Sequence, residues 1–290
     1  MASLTNLSIN HEICHYKYQP GEQAELHRLM LFLGKSEIAY LIIQDDRDLV
    51  VYLKSYNLPA GISTAAYRNV LRRFMREEAA LAGKFKKVSV TSQLSPNTLI
   101  PLDFFDDEKL SEYFYFNNKN EQKSNLYYDQ MVLLKLANVF SVPVEIEEVL
   151  NGFYHQKQKM RHTTSNTLRA VVTHSALTPN NLMHLNFHQH YIEVTVARPN
   201  NLLVQNTYSW QTPEDVLYYA LNIARYTQFN FEADTCLISG RIEQNDPQWR
   251  ILAKYFPNIK LSKRPPSYDY CHELDTLPLH AYFHLFSAQF

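Results

Sequence analysis

The succession of elements between residues 181 and 240 constrains the fold of this chain more than any other feature. Met183, Leu185 and Phe187 alternate with His184, Asn186 and His188, and Ile192, Val194 and Val196 alternate with Glu193 and Thr195. Period-2 alternation of this kind predicts two strands, each with one buried face. Pro199-Asn200-Asn201 turns the chain into a third strand over 202–207. Thr212 then stands as an N-cap with Pro213 at the first helical position and Asp215 three residues after the cap, a capping-box start with charge matched to the helix dipole. Val216, Ala220, Ile223, Ala224 and Thr227 form the inner stripe of that helix, and residues 235–239 give a further strand stopped at Gly240.

The same programme is legible from residue 26 to 92. Apolar runs over 26–33 and 38–43 meet at Gly34-Lys35, a hairpin, and a third strand follows over 49–53. Ser63 is the expected N-cap of a helix with Tyr67, Val70, Leu71, Phe74 and Met75 on one face, and Val88 and Val90 mark a fourth strand. A 290-residue chain is long enough to hold two such units. The expected division is 1–180 and 181–290. The first half then carries extra material. Asp106 caps a short helix through Leu110, Tyr113 and Phe114, the polar stretch 117–125 reads as a flexible loop, and residues 131–140 read as one apolar strand ended at Pro143. Helical patterns follow over about 144–153 and 164–177, whereas residues 1–24 are polar and mixed. In the second half, Asp246-Pro247 caps a helix, 259–261 is a last short strand, and Leu279, Phe283 and Phe286 suggest a terminal helix.

The fold class is α/β with mixed α+β character, in two related halves. Several stretches give it a family resemblance. They are Leu99-Ile100-Pro101-Leu102-Asp103-Phe104-Phe105-Asp106, Asn206-Thr207-Tyr208, Glu214-Asp215-Val216-Leu217-Tyr218-Tyr219 and Cys236-Leu237-Ile238-Ser239-Gly240. In order and spacing they resemble an uncharacterised family of Bacteroidota proteins, domain of unknown function 3822, similar in fold to actin-like ATPases and closest in spirit to pilus-assembly and cell-division members. The resemblance implies a duplicated actin-like (ribonuclease H-like) fold with a mixed five-stranded sheet and flanking helices in each half.

It also implies where a nucleotide would sit. Nucleotide-binding relatives hold Mg²⁺ and phosphates on an Asp-x-Gly turn in each half, and approach the nucleoside with a Gly-Gly pair after a later strand. Here the first turn is Leu33-Gly34-Lys35-Ser36 and the second is Phe187-His188-Gln189-His190; neither contains the aspartate. The later strand ends Ser239-Gly240-Arg241, with one glycine. Gly34, Ser239 and Gly240 are therefore the remnant positions of a degraded nucleotide site, and only six glycines occur in the chain. The expectation is a pseudo-ATPase with no resident cofactor or metal and no catalytic residue, working as a scaffold or protein-interaction module. The alternative is a nucleotide- or small-ligand-binding sensor or enzyme using the interdomain cleft.

Charge and motif content narrow the field further. With 28 Lys+Arg against 29 Asp+Glu, there is no global basic field, so nucleic acid is not an expected partner. The densest basic cluster, Arg68, Arg72, Arg73 and Arg76 with Lys84, Lys86 and Lys87, reads as a solvated helix face diluted by Glu77 and Glu78. Cys14, Cys236 and Cys271 follow no metal spacing and suit free thiols in a reducing compartment. No long apolar run occurs, so a cytoplasmic protein without membrane insertion is expected. His184, His188 and His190, and separately His280 and His284, have spacings that suit Zn²⁺ or Ni²⁺. No carboxylate or cysteine completes the first set at close spacing, so the trio reads as a polar outer face, and no Glu stands between His280 and His284 in a zinc-protease pattern, so that pair reads as solvated or capping. Tyr218 and Tyr219 face about 100° apart on a helix, which predicts one in the core and one partly exposed.

Overall fold

A computed structural model describes residues 7–119, 123–155, 158–199 and 201–289. The chain forms two compact units, the first comprising Met1–Ser165, Tyr268–Thr276 and Ala288–Phe290, the second Asn166–Ser267 and Leu277–Ser287.

In the first unit the elements run β1 (Ser8–Cys14), β2 (His27–Leu33), β3 (Glu37–Gln44), β4 (Leu49–Asn57), α1 (Thr64–Glu77), β5 (Lys87–Ser92), β6 (Asn97–Pro101), α2 (Leu110–Asn117), β7 (Ser124–Met131), β8 (Leu136–Pro143), α3 (Val144–Phe153) and β9 (Lys159–His162). The division between units falls inside α4 (Thr163–Ser175). β2 and β3 are buried along both faces, which is why they read as continuous apolar runs rather than alternating ones. Strand order is β1-β4-β3-β2-β5-β9, antiparallel through the meander and parallel where β5 returns beside β2 after α1. Ser63 caps α1 by accepting the Ala66 N–H at 3.3 Å, and Tyr67, Val70, Leu71, Phe74 and Met75 go into the core with Leu29, Leu31 and Tyr40.

Several expectations for this unit are corrected. The first sheet has seven strands among the described residues, not five, because β1 pairs antiparallel with β4 and the two-residue β15 (Asp269–Tyr270) pairs parallel with it. β1 was hidden in the polar stretch 1–24, since an edge strand needs no buried alternation. Residues 131–140 are not one strand. Met131 ends β7, a single 3₁₀ turn covers Val132–Leu134, Lys135 takes a left-handed φ of 52°, and β8 starts at Leu136. β6, β8 and β7 form a separate three-stranded antiparallel sheet. Of the expected loop 117–125, Ser124 and Asn125 belong to β7, and 120–122 lie outside the described residues.

The second unit follows the sequence more closely: β10 (Leu182–Phe187), β11 (Tyr191–Arg198), β12 (Asn201–Ser209), α5 (Pro213–Tyr226), β13 (Thr235–Gly240), α6 (Pro247–Ala253) and β14 (Ile259–Leu261). They make a mixed five-stranded sheet in the order β12-β11-β10-β13-β14, with β13 parallel to both neighbours. The capping box of α5 is formed in full: Thr212 Oγ1 accepts the Asp215 N–H, and the Asp215 carboxylate accepts the Thr212 and Gln211 N–H groups. These bonds to backbone N–H groups hold the Asp215 carboxyl below its ordinary range. The inner stripe of α5 packs on Met183, Leu185, Val194 and Ile238. Asp246, by contrast, gives α6 no side-chain cap and accepts the Glu243 N–H instead. The terminal helix is one turn, α7 (Phe283–Phe286), entered at Tyr282 with a left-handed φ of 54°.

Among the described residues no helix is long and apolar enough to cross a membrane. The three cysteines are free thiols. Burial pushes the Cys271 thiol up to about 11 and Cys236 higher still, so neither is a thiolate nucleophile at neutral pH.

Candidate functional site

The three remnant positions lie at two turns. In the first unit, Gly34 opens the β2–β3 turn and donates its N–H to the Glu37 carbonyl at 2.9 Å. A Cβ on Gly34 would stand 2.6 Å from the Phe32 ring and 3.1 Å from the Glu37 carbonyl oxygen. The glycine is thus demanded by hairpin packing, without any ligand.

The second turn belongs to a buried polar cluster on the second unit's sheet. β10 pairs with β11 so that Asn186 faces Glu193 and His184 faces Thr195, and β13 sets Ser239 beside Asn186 and Gly240 beside Phe187. All six of the polar residues His184, Asn186, His188, Glu193, Thr195 and Ser239 are buried. Ser239 donates its O–H to Asn186 Oδ1 at 2.8 Å, an oxygen that only accepts. Ser239 Oγ also lies 2.9 Å from His184 Nε2, and with its one proton spent it must accept there, which places the His184 proton on Nε2. Asn186 Nδ2 donates to Glu193 Oε2 at 2.9 Å and lies 3.0 Å from His188 Nε2. The His188 ring stacks on Tyr191 with centroids 4.3 Å apart, and its Nε2 is 3.4 Å from Glu193 Oε2.

This geometry overturns the reading of the histidines. His184 and His188 are buried rather than on an outer face, and only His190 of that trio is exposed. His280 and His284 are buried too. Their segment lies over the same face: the Phe283 ring is 4.5 Å from His184 and the His284 ring 5.2 Å from His188. His280 Nε2 donates to the Ile242 carbonyl at 2.6 Å. A carboxylate does reach the cluster, Glu193, and the antiparallel register across His188-Gln189-His190 is the signal that finds it. Even so, no group of three or more His, Cys, Asp or Glu side chains is arranged to hold a metal among the described residues.

Burial opposes the charge on both titrating partners. It drives His184 down to about 3, with the Glu193 carboxylate pulling the other way, so His184 is neutral in the folded protein at neutral pH. Burial also works against the Glu193 carboxylate, but the hydrogen bond and charge of His188, with the Asn186 amide, outweigh it and hold Glu193 at about 2. The unfolded chain protonates His184 below its ordinary value near 6.5, so this residue costs folding stability as pH falls from 6.5 toward 3. Between pH 7 and 5 the loss amounts to about 2 kcal/mol at ~1.4 kcal/mol per unit. Glu193 adds nothing in that window, because its contribution is lost only as pH falls from about 4.5 to about 2. Urea midpoints at the two pH values are expected to show this loss in the native protein and a clearly smaller one in His184→Gln.

Gly240 has φ of +87°, and a Cβ there would lie 2.1 Å from the Phe187 carbonyl oxygen and 2.9 Å from Asn186 Oδ1. Its N–H donates to the His280 carbonyl at 2.9 Å, and the next N–H, of Arg241, donates to the Phe187 carbonyl at 2.9 Å. Both backbone donors at this strand end are therefore taken within the chain.

The other residues singled out in the sequence stand apart from these turns. Tyr219 is half-buried and stacks on Tyr208 at 4.4 Å, while Tyr218 is exposed. Arg72, Arg73 and Arg76 are exposed, Arg68 pairs with Glu145 at 3.3 Å and Arg73 with Glu77 at 2.7 Å. Glu78 turns inward instead, accepting from Tyr40 at 2.7 Å and pairing with Lys54 at 3.2 Å.

Comparison with known proteins agrees with this architecture. The family model described as a protein of unknown function (DUF3822) matches residues 20–259. No curated protein matches the chain. Among solved structures, a Bacteroides thetaiotaomicron VPI-5482 protein with actin-like ATPase fold and unknown function is similar at a TM-score of 0.79 and 17% identity, covering 94% of this chain and 100% of that one. The PilM–PilN type IV pilus biogenesis complex is similar at a TM-score of 0.58 and 11% identity, covering 90% of this chain and 97% of that one. Identities this low speak to fold alone. The chain belongs to the DUF3822 family of proteins of unknown function, and its fold is that of the actin-like ATPases.

Proposed function

We propose that this protein is a cytoplasmic pseudo-ATPase, a non-catalytic scaffold or interaction module that binds another protein through an actin-like fold whose nucleotide site has decayed. The observation that carries this reading is the commitment of the Gly240 and Arg241 N–H groups to the His280 and Phe187 carbonyls. A ligand phosphate or ribose at that strand end would have to displace chain contacts before gaining its own. The second turn adds to it: where an aspartate would meet Mg²⁺, His188 is buried and stacked on Tyr191.

Protein binding is favoured over other uses by the exposed apolar residues around the three-stranded sheet. Phe104, Val132 and Leu133 are 75%, 71% and 91% exposed. They gather at one sheet end, where the Leu102 N–H donates to the Lys135 carbonyl. Exposed apolar groups clustered in this way mark interaction surfaces. The PilM–PilN structure is itself a complex between two proteins on a similar fold.

A thermal-shift panel with ATP, GTP and their diphosphates, with and without Mg²⁺, tests the proposal. A nucleotide held at about 100 times its Kd would add ~2.7 kcal/mol to the folded state. The expected outcome is no saturable shift with any of them, and a saturable Mg²⁺-dependent shift sinks the proposal.

A further inference from the structure

The tip of the three-stranded sheet holds apolar side chains in solvent on a backbone that is pinned in place. Val132 and Leu133 lie in the 3₁₀ turn between β7 and β8, which Lys135 closes at a left-handed φ that is strained for any residue with a side chain. Two backbone bonds fix this turn: the Lys135 N–H donates to the Val132 carbonyl at 3.0 Å, and the Leu102 N–H donates to the Lys135 carbonyl at 2.9 Å. Phe104, two residues after Leu102, is on a second pinned segment. The Tyr113 hydroxyl donates to the Phe104 carbonyl at 2.6 Å and accepts the Asp106 N–H at 3.1 Å. Apolar groups displayed on fixed backbone have little freedom left to lose, so covering them goes further toward affinity.

The charge around this tip says what kind of partner would cover it. Asp103 precedes Phe104, and Asp107, Glu108 and Glu112 follow it; each is exposed and makes no ion pair among the described residues. Asp107 accepts from the Tyr128 hydroxyl of β7 at 3.5 Å, which brings the acidic segment over the same sheet. Lys109 is taken by Asp106 at 3.3 Å, and Lys135 is the cation left at the tip. The balance is negative. An anionic bilayer, which apolar tips otherwise suit, is repelled by it. A second copy meeting this one through the same patch would set like charges against each other. A partner segment that carries lysine or arginine beside its apolar side chains has both complements.

We propose that this tip docks a short amphipathic segment of another protein, with bulky apolar side chains covering Phe104, Val132 and Leu133 and with lysine or arginine meeting Asp103, Glu108 and Glu112. This rests on the interaction-module reading and adds to it the place and the chemistry of the partner.

Panning a phage-displayed random-peptide library on the full chain tests it, followed by fluorescence anisotropy with a synthetic copy of the most enriched peptide. Enriched sequences are expected to combine bulky apolar residues with lysine or arginine. Leu133→Asp is expected to weaken the peptide at least about tenfold, and the double charge reversal Asp103→Lys with Glu108→Lys about tenfold. Raising NaCl from about 50 to about 500 mM should weaken it in the native chain and much less in the charge-reversed one. All three positions are exposed, so the melting temperature should not change with either variant. The proposal is overturned if no peptide is enriched, if the enriched peptides lack basic residues, or if their affinity survives both variants. It is equally overturned if Leu133→Asp abolishes self-association of the chain or its cosedimentation with phosphatidylglycerol vesicles, which would assign the tip to a second copy or to a membrane. Peptides that bind and ignore Leu133→Asp sink this surface and leave the interaction-module reading standing, whereas a Mg²⁺-dependent nucleotide shift sinks the pseudo-ATPase reading and leaves peptide binding at the tip unaffected.

Discussion

Gly240→Ala is expected to destabilise the second unit by about 4 kcal/mol or more, at the extreme of what single substitutions do. Two costs add. A side chain at φ of +87° is strained whatever the space around it, which costs on the order of 1 kcal/mol or more. The added Cβ would also sit 2.1 Å from the Phe187 carbonyl oxygen, a backbone atom that moves only if the β10–β13 pairing moves. Separating those strands would stretch the Ser239–Asn186 hydrogen bond and the Arg241–Phe187 backbone bond together. Gly61→Ala is the internal control, because Gly61 also has a positive φ, of +68°, but nothing lies within 4 Å of the added carbon. It should lose only about 1 kcal/mol. Urea unfolding followed by circular dichroism compares the two, and equal losses would mean that the close approach at Gly240 is not what holds the glycine there.

Asn186→Ala should be the next most damaging change, at roughly 3 kcal/mol. Asn186 is fully buried and is the hub of the polar cluster, accepting from Ser239 and donating to Glu193. Its removal leaves a buried carboxylate short of a donor and a buried hydroxyl without its acceptor, and bonds to charged groups are the costly ones to lose. Ser239→Ala in the same background should add less than it does alone, by about 1 kcal/mol, because the Ser239–Asn186 bond is already gone. Strict additivity of the two losses would show that they do not act as one network.

Much of the fold could be read in the sequence where a single local signal decides the element. The α5 start is the clearest case, since Thr212, Pro213 and Asp215 specify the cap geometry among themselves and the structure builds it. The meanders and crossover helices were legible for a similar reason, as each strand's apolar face declares itself. The elements that escaped depend on distant partners. β1 is held by β4, far along the chain (Ser8 beside Asn57), and β15 by the start of β4 (Asp269 beside Leu49). Neither has a pattern of its own to give it away.

The site shows the same limit. Alternation at His184, Asn186 and His188 correctly placed them on one face of β10, but alternation cannot tell solvent from a second covering layer. That layer comes from His280, Phe283 and His284, almost a hundred residues later. Gly34, Ser239 and Gly240 were found as positions because of where they fall in the element order. The use each is put to, hairpin packing at Gly34 and strand packing with internal hydrogen bonding at Ser239 and Gly240, follows only from the contacts.

The most direct measurement is the response of the Gly240 and Arg241 backbone amide signals in a ¹H–¹⁵N correlation spectrum as Mg²⁺–ATP is titrated into the full chain. If these N–H groups are committed to the His280 and Phe187 carbonyls, as their 2.9 Å bonds indicate, neither signal should move saturably. A saturable shift of both, tracking nucleotide concentration and abolished by removing Mg²⁺, would contradict the account and return the protein to the nucleotide-binding members of its fold.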